Sequence, residues 1–259
     1  MTRALTLGVA LALAGGSAAG QANPAKGSLG VTSPFPIGER LIYDARFGPV
    51  TLGSAEMRVV GLDTIRGTPV VHVRFVIQGG TFFFRLDDRM DSWIALSDTS
   101  SRRFTQDFDE RGKQRHAYYD ILPDSGYYRQ RGVDSLVPTV KQPLDDAAFF
   151  YFVRTTPLDT GRHQVPRYFR PDRNPVILDV QRRDTLDVPA GRFPCLVLQP
   201  IIKGRGILAE ASNARMWLSD DDRRIMVQLN SKFPFGVITL RLIRIASAGR
   251  EAAAEDGGR

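Results

Sequence analysis

The sequence predicts an all-β protein: a single curled antiparallel sheet or barrel of roughly a dozen strands, with one short α-helix packed against its open side. Three observations lead there. Apolar and polar residues alternate through segment after segment of strand length. Clusters of Gly, Pro, Asp and Ser separate those segments at hairpin spacing. One segment alone, PLDDAAFFYFVRTTPL (143–158), breaks the alternation with a delimited helical pattern.

Residues 1–22 read as a signal peptide: Arg3, an apolar run from Ala4 to Ala14, then small residues that place cleavage near Ala19 to Ala22. That run is shorter than the ~20 residues a spanning helix needs, and no later stretch approaches that length. No cysteine lies near the cleavage site to carry a lipid, so the expectation is a periplasmic protein that is not a lipoprotein and has no transmembrane helix. A flexible leader is expected over 23–36, one β domain over 37–245 and a disordered tail over 246–259.

The strands follow in order. ERLIYDARFG puts Leu41, Tyr43, Ala45 and Phe47 on one side and Arg40, Asp44 and Arg46 on the other. Gly48-Pro49 turns the chain into TLGSAEMRVVG, and VVHVRFVIQ follows with Val71, Val73, Phe75 and Ile77 facing one way. A turn is expected at Gly79-Gly80. RLDDRMDSWIAL, SRRFTQDFDE, KQRHAYYDIL and GYYRQRGV are more polar, as suits a sheet with one wet face. Leu136 to Pro143 reads as a loop within the same domain. Beyond the helix, strands resume in HQVPRYFR, PVILDVQRRDTLDV, RFPCLVLQPII, NARMWLS, RIMVQLN and GVITLRLIRI.

Within 143–158, Asp145 and Asp146 suit a helix N-terminus, Arg154 suits its last turn, and Pro157 forces Thr156 out of helical geometry. The helix between them is apolar nearly all round, and such a helix must be buried nearly all round. It reads first as a plug for the curled sheet and second as the wall of an apolar pocket.

Composition narrows the function classes. With 42% hydrophobic residues in 259, the chain can bury a sizeable core. The formal charge of +7 invites a nucleic-acid reading, but the arginines are scattered in ones and twos rather than in a block, so no nucleic-acid partner is expected. The single cysteine, Cys195, sits in the apolar run PCLVL and reads as a buried, inert thiol.

Catalytic and metal patterns are weak. No G-x-S-x-G occurs, and Gly53-Ser54 lacks a strand-to-helix elbow. His72, His116 and His163 are isolated, so neither a metal nor a cofactor is expected. Asp87, Asp88 and Asp91 lie close together, but on a strand Asp88 points away from the other two, and Arg85 and Arg89 flank them as in a paired, solvated edge. Gly204-Arg205-Gly206 lacks the spacing of a phosphate loop. No catalytic residues are assigned.

IGERLIY with the following Leu52-Gly53, the segment DAAFFYFVRTTPLDTG, the strand VPAGRFPCLVLQP and the closing MWLSDDDRRIMVQLNSKFPFGVITLRL, taken in that order, resemble the exported bacterial proteins grouped as domain of unknown function 3108. The resemblance spans 35–245. It implies an envelope-associated all-β protein and brings no activity, cofactor or catalytic residues.

The function expected is that of a non-enzymatic, periplasmic, barrel-like carrier that binds an apolar or lipid-like molecule through Tyr43, Phe75, Phe149, Phe152 and Trp217. The alternative is a structural or interaction protein of the envelope, with a filled core and a protein partner. An outer-membrane barrel is disfavoured by the charged strand faces and polar tail, and a carboxylate-dependent hydrolase by the spacing of its acids.

Overall fold

The computed structural model describes residues 32–81, 84–110, 113–204, 208, 210–233 and 236–247. The signal-peptide region, most of the leader and all but the first two residues of the tail lie outside these. The chain forms β1 (Arg40–Phe47), β2 (Val50–Ile65), β3 (Thr68–Thr81), β4 (Phe84–Ala95), β5 (Ser101–Glu110), β6 (Lys113–Leu122), β7 (Tyr127–Gln130) and β8 (Leu136–Pro138). Then come α1 (Asp146–Thr155), β9 (Gly161–Val165), β10 (Val176–Val188), β11 (Gly191–Ile201), β12 (Arg215–Ser219), β13 (Met226–Phe233) and β14 (Gly236–Ala246).

All 14 strands belong to one antiparallel sheet, in the order β8-β7-β6-β5-β4-β3-β2-β1-β14-β13-β12-β11-β10-β9. Every strand pairs with its neighbours in sequence except β8 and β9, which do not pair with each other, and the first strand pairs with the last. The free edges are therefore β8 and β9, and the connection between them carries the helix. The sheet curls without closing.

Alternation explains the strands. In β1, Leu41, Tyr43 and Ala45 are buried and the residues between them are not, while Phe47 reaches the rim at 40% exposure. In β3, Val71, Val73 and Phe75 face inward, whereas His72 and Arg74 face outward among polar neighbours. Inward residues of the sheet merge with α1 into one core, to which each fully buried large side chain contributes roughly 1.5–3 kcal/mol.

Three local readings are corrected. The chain does not turn at Gly79-Gly80: β3 runs on to Thr81, with Gly79 opposite Leu86 and Gly80 opposite Arg85. Gly79 instead lies opposite Gly53 of β2, so close that a Cβ on either residue would overlap the other strand's backbone carbonyl. These glycines serve close approach, not a bend. The supposed loop at Leu136 to Pro143 contains the short edge strand β8. The end of the leader is not free, because Ser33 and Phe35 are buried, the latter with its ring edge-on to Tyr151 at 5.0 Å.

Gly79→Ala should lower stability by roughly 1–3 kcal/mol through strand overpacking. Gly61→Ala, where a Cβ meets only open space, should stay within about 0.5 kcal/mol of the parent. Urea midpoints of the two variants check this contrast.

Candidate functional site

The helix is the one element that could build a site inside the sheet, and its sequence sets its ends. The Asp145 carboxylate accepts from Ala148 N–H at 2.8 Å, and Thr156 leaves helical geometry at φ −89°, ψ 134° just before Pro157. Ala147, Ala148, Phe149, Phe150, Tyr151 and Val153 are all buried, while Phe152 is half-buried and Thr155 exposed. Phe150 packs on Phe75 of β3 with ring centroids 4.9 Å apart, and Phe149 stacks on Tyr168 at 6.0 Å. The helix thus lies in the concavity of the sheet against β3 and β4.

Polar anchors hold both of its ends. At the N-terminal end, Ser92 Oγ of β4 donates to Asp145 at 2.6 Å, and Asp145 N–H donates to Ser101 Oγ of β5 at 3.0 Å. Burial pushes the Asp145 carboxyl up to about 7, against the hydrogen bonds that favour its charged form. Asp146 accepts from Tyr168 OH at 2.8 Å and Gln106 at 3.2 Å, and burial raises it as well. Arg173 donates to Tyr168 OH, and Arg170 to Tyr119 OH at 2.6 Å, continuing the network towards the end of the sheet.

At the other end, Arg154 donates to both carboxylate oxygens of Glu39, at 2.6 and 3.0 Å, and to the carbonyl of Arg223 at 3.1 Å. The side chains of this pair are 3% and 6% exposed. Tyr43 OH donates to the Met226 carbonyl at 2.9 Å, next to the same anchor.

Little room remains. The void beside α1, between Phe35, Ile94, Tyr151 and Phe152, measures about 10 Å³, hardly the space of one water molecule. Of the five aromatic residues expected to line a pocket, only Phe152 borders it. Tyr43 and Phe75 point into the core, Phe149 is packed under Tyr168, and Phe152 lies beneath the Arg167 guanidinium at 5.1 Å. Trp217 is apart from the other four, on β12, with its Nε1 donating to Asp184 of β10 at 3.3 Å. A larger cleft, about 190 Å³, opens at the rim between the β2–β3 and β6–β7 turns, lined by Arg66, Thr68, Arg102, Asp124 and Ser125.

The candidate acids are placed otherwise than a glycosidase needs. Asp91 faces outward at 1% exposure, with His72 Nε2 at 2.6 Å, Arg74 Nε at 2.8 Å and Arg89 Nε at 2.6 Å. Burial alone would raise its carboxyl, but these hydrogen bonds overcome it and hold the group at about 2, so it stays ionised and cannot act as a general acid near neutral pH. Asp87 accepts from Gln78. His116 pairs with Asp107, and His163 lies against the Asp159 carbonyl. Burial pushes the Cys195 thiol up to about 12, which fits an inert side chain. Among the described residues, no three His, Cys, Asp or Glu side chains converge as metal ligands, and no helix is long and apolar enough to cross a membrane.

Sequence reasoning missed Glu39, Ser92, Ser101 and Tyr168 as the partners of the helix. Each lies far from it in sequence or, for Tyr168, across a further strand, so no local pattern marks it.

Comparison with known proteins agrees with this architecture. The profile of the family described as "Protein of unknown function (DUF3108)" matches residues 42–243. Nothing among curated proteins matches. The crystal structure of a β-barrel-like protein of domain of unknown function DUF1849 from Brucella abortus superposes with a TM-score of 0.53 at 10% identity, covering 82% of this chain and 98% of that one. The protein CT021 of Chlamydia trachomatis is more distant, with a TM-score of 0.30 at 9% identity over 82% of this chain and 87% of that one. The first of these shows the fold.

Two outcomes follow from the anchors. Arg154→Met should cost about 3–5 kcal/mol, because it strands the buried Glu39 carboxylate, and Glu39→Gln added to it should recover part of that loss in urea denaturation. The folded chain keeps the Asp145 proton up to about pH 7, whereas the unfolded chain releases it near 3.8. Its contribution to stability is therefore complete below pH ~4 and is lost as the pH rises towards 7, whereas that of Asp91 is lost only on acidification towards 2. Midpoints measured from pH 5 to pH 7 should fall in the parent and stay flatter in Asp145→Asn.

Proposed function

The chain belongs to the DUF3108 family of proteins of unknown function, and we propose that it is an exported, non-enzymatic protein of the cell envelope that works through its outer surface while α1 keeps its interior filled. One observation carries this reading: the space a barrel-like carrier would offer to a ligand is occupied by Phe149, Phe150 and Tyr151 of its own helix, and the cavity beside that helix measures about 10 Å³. Drug-sized ligands need several hundred Å³.

Export is supported by the signal-peptide pattern of residues 1–22. The absence of enzymatic activity is supported by the placement of the acids and imidazoles. Asp91 is ionised near neutral pH, Asp145 is sealed under the helix, and no histidine hydrogen-bonds a serine among the described residues. Carriage of an apolar or lipid-like molecule is the competing reading. It requires α1 to leave the concavity and break the contacts of Asp145 and Arg154 at both ends.

Native mass spectrometry of the protein purified from the envelope fraction of bacteria expressing the full chain separates the two. The expected spectrum is that of a bare chain beginning between residues 20 and 23. A lipid retained at one copy per chain would overturn the filled-core reading, and an intact residue 1 would overturn export.

A further inference from the structure

The arginines, scattered in sequence, are aligned by the register of the sheet. Arg40, Arg58 and Arg74 stand directly opposite one another on β1, β2 and β3. The same row continues through Asp91, Thr105 and Tyr118 on β4, β5 and β6, and reaches Arg131, whose N–H donates to the Tyr118 carbonyl. The adjacent row on the same outer face runs His72, Trp93, Arg103, Asp120 and Arg129 across β3 to β7. Together the two rows hold six arginines against two aspartates. Arg66 and Arg89 add two cations at their margins, and Glu56, Asp63 and Asp107 three carboxylates.

Arg40 is paired with Glu56 and Arg74 with Asp91, but Arg58 between them stands directly opposite two like charges, which weakens a sheet, so strand pairing does not explain its place. Neither Arg58 nor Arg131 has a carboxylate partner among the described residues, and both are exposed. The single carboxylate of Asp120 is shared by three arginines, Arg66 at 3.1 Å, Arg129 at 3.7 Å and Arg103 at 3.8 Å. The belt is thus electropositive and short of anions.

Its aromatic residues refine the chemistry. His72 stacks on Trp93 at 4.3 Å with the planes 6° apart, the Arg103 guanidinium lies over both Trp93 (5.6 Å) and Tyr118 (5.3 Å), and Arg131 lies over Tyr118 at 3.9 Å. Stacking holds each guanidinium flat and turns its in-plane N–H donors outward, the geometry that grips a carboxylate in two-pronged fashion. It also covers the ring faces on which nucleic-acid bases would stack. Asp63 and the part-exposed Asp120 lie among these donors as acceptors for hydroxyl groups, which suits a polyhydroxylated acid better than a phosphodiester chain.

Shape selects within what remains. The rows cross the strands and so follow the curvature of the sheet, a path open to a flexible chain but not to a flat bilayer. Strands lie ~4.8 Å apart, close to the advance of one extended sugar unit, so successive strands can present a donor to successive sugars. We propose that the outer face of β1–β7 binds a linear acidic polysaccharide carrying ring carboxylates, laid across the strands. This names a partner for the outer surface and rests on the preceding reading only in placing that surface in the envelope.

The test is titration calorimetry of the full chain with oligogalacturonates of defined length, at low and then high ionic strength, with single-stranded DNA and phosphatidylglycerol vesicles run in parallel. The expected result is binding that weakens with salt and falls about tenfold in the double variant Arg58→Gln/Arg131→Gln. Both side chains are exposed, so the double variant should keep the urea midpoint of the parent. Arg192→Gln, beside Asp187 at the β10–β11 turn, should leave binding unchanged. Absence of binding at low ionic strength, full retention in the double variant, or tighter binding to DNA or to vesicles would each overturn the proposal. A lipid found by mass spectrometry would overturn the filled-core reading and leave this measurement untouched.

Discussion

The bidentate pair between Glu39 and Arg154 ties together three distant parts of the chain. Glu39 lies just before β1, Arg154 on the helix at the midpoint, and the Arg223 carbonyl that shares the guanidinium in the turn before β13. A charged pair this deeply buried is costly to form, and replacing it by apolar side chains is often neutral or better. What it supplies is position. With the carboxylate fixed by the entry to β1, the last turn of α1 has one place to go, and Tyr43, Tyr151 and Phe35 pack around it.

The opposite end of the helix is held differently, by neutral hydroxyls on a carboxyl that burial makes reluctant to ionise. The Asp145 end therefore responds to pH on the way to neutrality. Between the two ends the apolar residues of α1 replace whatever a hollow sheet would have enclosed. The chemistry this fold offers to the outside is accordingly displaced to the convex face, where side chains at alternate positions are free of packing duties.

Much of this was legible in the residues, and the failures have physical causes. The bounds of β5 and β6 coincide with SRRFTQDFDE and KQRHAYYDIL because turn residues, Glu110-Arg111-Gly112 and Pro123-Asp124-Ser125-Gly126, delimit them. The helix is bounded by Asp145 and Pro157 as its capping chemistry demands. Gly79-Gly80 misled because glycine marks close backbone approach as readily as a turn, and only the partner strand tells which. The arginine rows were invisible for a related reason: Arg40, Arg58 and Arg74 are separated by whole hairpins, and only register makes them neighbours.

The seam between β1 and β14 has a consequence for how the molecule is assembled. All other pairings in the sheet are hairpins between consecutive segments and can zip up locally as soon as both segments exist. This one joins Arg40 to Ala246, so it waits for the final strand. Until then the inner side of β1, with Leu41 and Tyr43, has a partner on one flank only. A polypeptide emerging N-terminus first would hold a half-built sheet with an open, pairing-competent border at its centre, and completion of the last segment is the event that seals it.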